Sequence, residues 1–349
     1  MITAVQIPKK DTVFLTTNPI IFEVSTDLDA SHYITAKVTL DTGEIISQIW
    51  GRYTPTNLKV NLQNLFLDFF KVDFEKVTTN GLMRKSDLLK KVIIELKEVV
   101  IGAEEVVSTF VLPNFYVLSS NEKQSFDSSI NLQKLSILPD VVSVTKKSVI
   151  RVPLWLNAPE LDIKIISGIA EIYNLKKTNL KKGVFYFDFD FSTISNLDDV
   201  AIITFTDGHK TIEQIIQFAV LRAYDIEQFY VLNNINIYEY VELFGKKTAT
   251  NSYKRNIIND YNDVVHQVDL SKTHTVKIYS HFLLENQLPL LSLFNESKKV
   301  FYLKDGVFLP FVAITKKASA GDSSKNYYQE YIELKQSEFP LTNDTYNYQ

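Results

Sequence analysis

The stretch VFYFDFDFS, residues 184–192, alternates without a break. Phe185, Phe187, Phe189 and Phe191 fall on one side of an extended chain, and Tyr186, Asp188 and Asp190 fall on the other, because successive strand side chains point to opposite faces. A helix would scatter the four phenylalanines around its circumference. The reading is a half-buried strand, its aromatic face on a core and its carboxylates in water.

The same period of two spreads outward from this strand. TIEQIIQFAV (211–220) sends Ile212, Ile216, Phe218 and Val220 to one side, and AIITFTDGH (201–209) supplies a partner ending in Asp207-Gly208, a dipeptide suited to a tight hairpin. VFYLKDGVFLPFVAI (300–314) repeats the device at Asp305-Gly306, and VTLDTGEIISQIW (38–50) and VVIGAEEVV (99–107) follow it less sharply. Pro310 has no N–H to donate, which places its strand at an edge or a bulge. Helical spacing is confined to NLQNLFLDFF (61–70), with an Asn61 cap, and to ENQLPLLSLFNES (285–297), with Pro289 in its first turn. The expected fold is mainly β, with tandem β-sandwich-like domains and a few short helices that cover sheets.

A chain of 349 residues exceeds one ordinary core. The tetrapeptide FYVL occurs at 115–118 and again at 229–232, about one domain length apart, each time after a Val/Ile-rich strand. Together with the Ser-rich interval 119–134, this suggests three β domains: 1–118, 119–228, and 229–349 with one short helix.

Composition narrows the function classes. A formal net charge of −4 with dispersed lysines gives no field for nucleic acid. The Lys-Lys doublets sit mostly at the ends of apolar runs, where they discourage sheet edges from pairing with foreign strands. The absence of cysteine removes disulfides and thiolate chemistry. No run approaches the ~20 apolar residues that span a bilayer, and no export signal is visible, so a soluble protein made in the cytoplasm is expected, without membrane insertion.

Chemistry is sparse. None of His32, His209, His266, His274 and His281 has the spacing of a helical zinc site. Asp188 and Asp190, about 7 Å apart on an extended strand, read as its wet face. NDYNDVVHQVD (259–269) collects Asp260, Asp263, His266 and Asp269 without the order of a calcium loop, and reads as a solvated loop. No nucleophile elbow, Walker loop or dinucleotide fingerprint occurs. No catalytic, cofactor-binding or metal-binding residue is assigned, and a non-enzyme is expected.

The final third has a specific order: FYVLNN, then INIYEYVELFGKK, a polar interval, the strand HTVKIYSHFL, the short helix, and KKVFYLKDGVFLPFVAI. This resembles tail-associated structural proteins of phages and phage-like elements of Bacteroidota, on Leu232, Asn233, Tyr238, Glu239, Phe244, Gly245, Leu288, Leu291, Ser297, Val300, Tyr302 and Leu303. FLTTNPIIFEVST (14–26) is similar to the beginning of the same proteins. Where that family carries glycine after the Leu-Asn pair, this chain has Ile235-Asn236-Ile237, so the turn falls to Asn233, Asn234 or Asn236.

The resemblance implies a virion protein of a tail or baseplate, made in the host cytoplasm. Its partners would be further copies of itself and neighbouring tail proteins. Tyr230, Tyr238, Tyr240 and Phe244 are the expected packing or interface residues. The alternative is a carbohydrate-binding or adhesin module of β-sandwich type, with Trp50 and Trp155 stacking on a glycan.

Overall fold

The computed structural model describes residues 1–26, 32–50, 58–66, 70, 72–121, 126–219, 226–259, 265–280, 288–315 and 330–337, with backbone alone at 46–50, 255–259, 265–271 and 289. The fold is mainly β, built of tandem sandwich-like units with few short helices.

In the first unit, β1 (Ile2–Gln6), β3 (Ile21–Thr26) and β6 (Leu58–Asn61) form a three-stranded sheet. It faces a six-stranded sheet made of β2 (Val13–Leu15), β10 (Phe115–Leu118), β8 (Leu89–Val100), β4 (His32–Leu40) and β5 (Ile45–Trp50), with β9 (Val106–Val111) along the far half of β8. Phe22, Val24, Ile34, Val38, Ile94 and Phe115 fill the space between them. The helix α1 (Gln63–Phe66) is one turn, capped as expected by the Asn61 side chain, which accepts from the Gln63 N–H at 3.0 Å.

The second unit joins β11 (Leu132–Lys134), β13 (Val149–Leu156), β16 (Gly183–Asp190) and β7 (Gly81–Arg84), in that order. The strand β7 comes from within residues 1–118, so the chain of the first unit leaves it, pairs with β16 and returns. The facing sheet runs β12 (Val141–Val144), β18 (Thr211–Phe218), β17 (Val200–Thr206), β14 (Leu161–Ser167) and β15 (Ala170–Lys177). The phenylalanines of β16 and Phe191 meet Ile163, Ile165, Ile203 and Phe205 between the sheets, with Phe187 edge-on to Phe205 at 5.6 Å.

The other face of β16 departs from expectation. Asp188 is 0% exposed and Tyr186 is 7% exposed, so this is not the wet face of a strand. The irregular segment 72–80 lies over it, and only Asp190 stays partly open.

The third unit is a single seven-stranded sheet: β20 (Tyr238–Phe244), β19 (Ile226–Leu232), β23 (Val300–Lys304), β24 (Val307–Ala313), β25 (Tyr331–Gln336), β22 (Val265–Tyr279) and β21 (Lys247–Asn259). Its edge strands β20 and β21 are separated in the chain only by Gly245 and Lys246. Seven flat strands would span about 29 Å, whereas this link reaches about 10 Å, so the sheet rolls until its edges approach. Lys247 of β21 closes the roll, 2.6 Å from the Glu227 carboxylate of β19 and 2.8 Å from the Tyr302 hydroxyl of β23. A Cβ on Gly245 would stand 1.6 Å from the Tyr279 carbonyl oxygen, so the crossing admits only glycine. Inside lie Phe229, Val231, Phe311 and Ile332, and Phe294 of α2 (Pro289–Glu296) meets Phe229 edge-on at 5.1 Å.

All four expected hairpins form, as β17–β18, β23–β24, β4–β5 and β8–β9. At the β23–β24 turn Asp305 and Gly306 take φ of 52° and 80°, the two positive values that a type I′ turn requires. Pro310 sits in an interior strand, not at an edge. Its carbonyl accepts from the Ser337 N–H at 3.0 Å, and its nitrogen points the same way, just outside the first β24–β25 pair, Phe311 with Gln336.

The polar interval 247–274 holds a long hairpin that its composition concealed: β21 and β22 pair from Lys247↔Ile278 to Asn259↔Val265. Of the stretch expected to be a solvated loop, Asn259 and residues 265–269 are paired strand instead, while Asp260 and Asp263 lie outside the described residues.

Candidate functional site

The segment 72–80 meets the second and third units together, over the buried ion pair of Arg151 and Asp188. Arg151 interrupts the apolar run VIRVPLWL of β13 and stands directly across the ladder from Asp188 of β16. Its Nε and Nη2 donate to the two carboxylate oxygens at 2.7 Å each, a bidentate fork. The guanidinium also donates to the carbonyls of Glu75 at 2.9 Å, Lys76 at 3.4 Å and Tyr238 at 3.5 Å. The ring of Tyr186 lies 4.2 Å from it. Burial by itself would depress the Arg151 pKa, but the hydrogen bonds and charge of Asp188 outweigh it and push it up.

Glu75 anchors the segment. Its carboxylate accepts from Lys85 Nζ at 2.6 Å and from the Tyr186 hydroxyl at 3.0 Å. Burial works to raise its pKa, yet these partners hold it below the usual carboxylate range. Phe74 enters an aromatic box with ring centroids of Tyr230, Tyr238, Phe301 and Phe308 at 5.4, 5.2, 4.4 and 4.8 Å. The Val77 N–H donates to the Tyr230 hydroxyl at 3.1 Å.

A second seam joins β20 to the second unit. Glu239, fully buried, accepts from the Asn233 amide at 2.6 Å, the Ile137 N–H at 3.4 Å and the Ser136 hydroxyl. Glu242 accepts from the Thr145 N–H at 2.7 Å, the hydroxyls of Ser148 and Tyr240 at 2.6 Å each, and the Gln228 amide at 3.0 Å. Burial outweighs the three donors on Glu239 and pushes its carboxyl up to about 7. Burial and the neighbouring Glu242 also raise the Tyr240 phenol.

The third seam links the loops that follow the two FYVL strands. The Asn121 N–H donates to the Asn234 carbonyl at 2.7 Å, and the Asn236 amide donates to the Ser119 hydroxyl. Asn236 takes a φ of 62°, and the Asn233 side chain accepts from the N–H groups of Ile235 and Ile237 at 3.1 and 3.0 Å. Asparagines thus make the turn in place of glycine.

Of the expected residues, Tyr230, Tyr238 and Tyr240 are buried in these seams, and Phe244 is half-buried at the rolled edge. Trp155 is 0% exposed, edge-on to Phe126 at 5.1 Å, and offers no face to a sugar ring. The Trp50 side chain lies outside the described residues. The roles of Arg151, Phe74, Glu75 and Glu242 escape a reading by periodicity. The one available signal was a lone arginine inside an apolar strand, which demands a buried anion.

Chemically, this arrangement holds three units in one geometry. Asp188 is locked by Arg151, and Glu239 and Glu242 are each held by several donors. Among the described residues no three His, Cys, Asp or Glu side chains converge as a metal site.

No protein-family model matches the chain, and no curated protein matches it. Among solved structures it is similar to the I-band fragment I67-I69 from titin, at 9% identity over 80% of this chain and 93% of that one, with a TM-score of 0.22. It is also similar to a chimeric titin Z1Z2-Z1Z2 tandem functionalized with a GRGDS exogenous peptide from fibronectin, at 10% identity over 64% of this chain and 100% of that one, with a TM-score of 0.18. The fold described above rests on its own strand pairing, not on these likenesses.

Proposed function

We propose that the protein is a non-enzymatic building block of a phage tail, baseplate or related particle, acting by protein–protein assembly. The observation that carries this reading is the use of its buried charges. Arg151, Asp188, Glu239 and Glu242 all join parts of the chain far apart in sequence, as a component working by fixed geometry requires. The resemblance of residues 229–315 directs the reading to a tail. The sugar-binding alternative loses Trp155, one of its two stacking residues.

Two measurements test the proposal together. Light scattering across a concentration series should give a discrete oligomer, and mass spectrometry of purified particles should find the chain at stoichiometric level. A chain that is monomeric at every concentration and missing from particles overturns the reading.

A further inference from the structure

The β21–β22 hairpin leaves the rolled sheet partway along its length. β25 pairs with β22 only from Thr275 to Tyr279. Beyond Thr250 and Thr275 the ladder continues from Asn251↔His274 to Asn259↔Val265 as a two-stranded ribbon, paired only with itself among the described residues. Residues 251–254 are exposed, Tyr253 at 56%. A lone two-stranded ribbon is at best marginal in water, and its edges present open N–H and C=O groups. Its stem is basic: Lys272, Lys254 and Arg255 occupy three successive ladder positions, opposite Tyr253, Ser271 and Leu270.

The first unit has the opposite deficit. β9 pairs only with β8, which leaves its other edge without a strand among the described residues. Its sequence VVSTFV has neither lysine nor proline to blunt that edge, whereas the edge strand β15 ends in Lys176-Lys177 and β6 carries Lys59. Val106, Val107 and Val111 are 48%, 49% and 56% exposed. The turn leading into β9 bears Glu104 and Glu105 and no basic residue. The Ile2 N–H reaches Ser108 Oγ at 3.2 Å, so β1, with its exposed Val5, runs along the same flank.

Building on the assembly reading, we propose that the ribbon of one copy docks along the β9 flank of a second copy. It adds its backbone to the six-stranded sheet and sets Lys254 and Lys272 against Glu104 and Glu105. The occupant is a second copy because this chain supplies both halves, an unpaired ribbon with Lys254 and Lys272 at its base and an acid-flanked unpaired edge. The six residues of β9 extend about 20 Å, within reach of the ribbon's longer stem. Two different patches in contact make a heterologous interface, which closes into a ring where the rotation permits.

Thr250 and Thr275 face each other in register, so residues 251–274 can be replaced by an Asn-Gly turn with the sheet left whole. The shortened chain should scatter light as a monomer and melt at the wild-type temperature. Lys254→Glu with Lys272→Glu should weaken association by about tenfold or more, and adding Glu105→Lys should restore most of it.

An oligomer that survives the shortening, or charge reversals that Glu105→Lys does not rescue, overturns the docking. So does a wild-type chain that is monomeric at every concentration. That last result leaves the tail reading to be decided by the presence of the chain in purified particles. A ribbon-dependent oligomer absent from particles overturns the tail reading alone.

Discussion

The tetrapeptide FYVL forms a strand twice, and the two copies end differently. In β10, Phe115, Val117 and Leu118 are buried while Tyr116 is half-buried beneath the Lys182 ammonium at 5.2 Å. In β19 the same four residues are all buried, because segment 72–80 covers the face that Tyr230 occupies. Identical local sequence produced the same strand with Phe and Val on the core side. Whether the tyrosine meets solvent was decided by a segment more than a hundred residues away in the chain, since Val77 and Tyr230 are 153 residues apart.

That covered face can be broken most severely at Arg151. Arg151→Ala leaves Asp188 buried without its partner, and unfolding by denaturant should show a loss of about 3–5 kcal/mol. Replacing both residues with apolar ones should cost far less, because no lone charge remains. A double replacement as damaging as the single one would mean that the carbonyl contacts to Glu75 and Lys76, not the ion pair, hold the segment.

The β20 seam should respond to pH. Glu239 carries a folded pKa of about 7 against an ordinary 4.5. A raised carboxyl binds its proton more tightly when folded, so its stabilisation is full below the unfolded pKa and fades as pH rises through the folded one. Relative to Glu239→Gln, the wild type should lose on the order of 3 kcal/mol between about pH 4.5 and pH 7. Parallel stability curves for the two proteins would show that burial does not raise this carboxyl.

The smallest effect sharpens the comparison itself. Tyr230→Phe removes the acceptor of the Val77 N–H and should cost about 1 kcal/mol. Tyr116→Phe, at the same place in the other copy, should change stability by less than about 0.5 kcal/mol. Equal losses at the two positions would show that the cover over β19 contributes nothing beyond what β10 already has.

Much of the fold was legible along the chain. The alternation in 184–192, the Asp-Gly turns and the Pro289 helix start all appear where local pattern placed them. The clasp was not legible. Asp188 looked like a solvated residue because alternation says only that it opposes the phenylalanines, not what lies above it. The long β21–β22 hairpin was hidden for a related reason: a ribbon with no core face needs no apolar alternation. Pro310 was misplaced because its missing donor restricts one side of a strand at one residue, which an interior strand tolerates where its neighbour ends.

Pleat and turn conformation are set by residues a few positions apart, so local pattern alone placed the strands that pack on a core, their turns and the face each turns to that core, but not the β21–β22 ribbon. The tertiary structure alone decided that β7 crosses into the second unit, that β20 and β21 roll together around Gly245, and that Arg151 and Asp188 are shut away from water. Those outcomes depend on solvent exclusion by segments distant in the chain, such as Glu75 against Tyr186 across 111 residues, and no local period encodes what will cover a face.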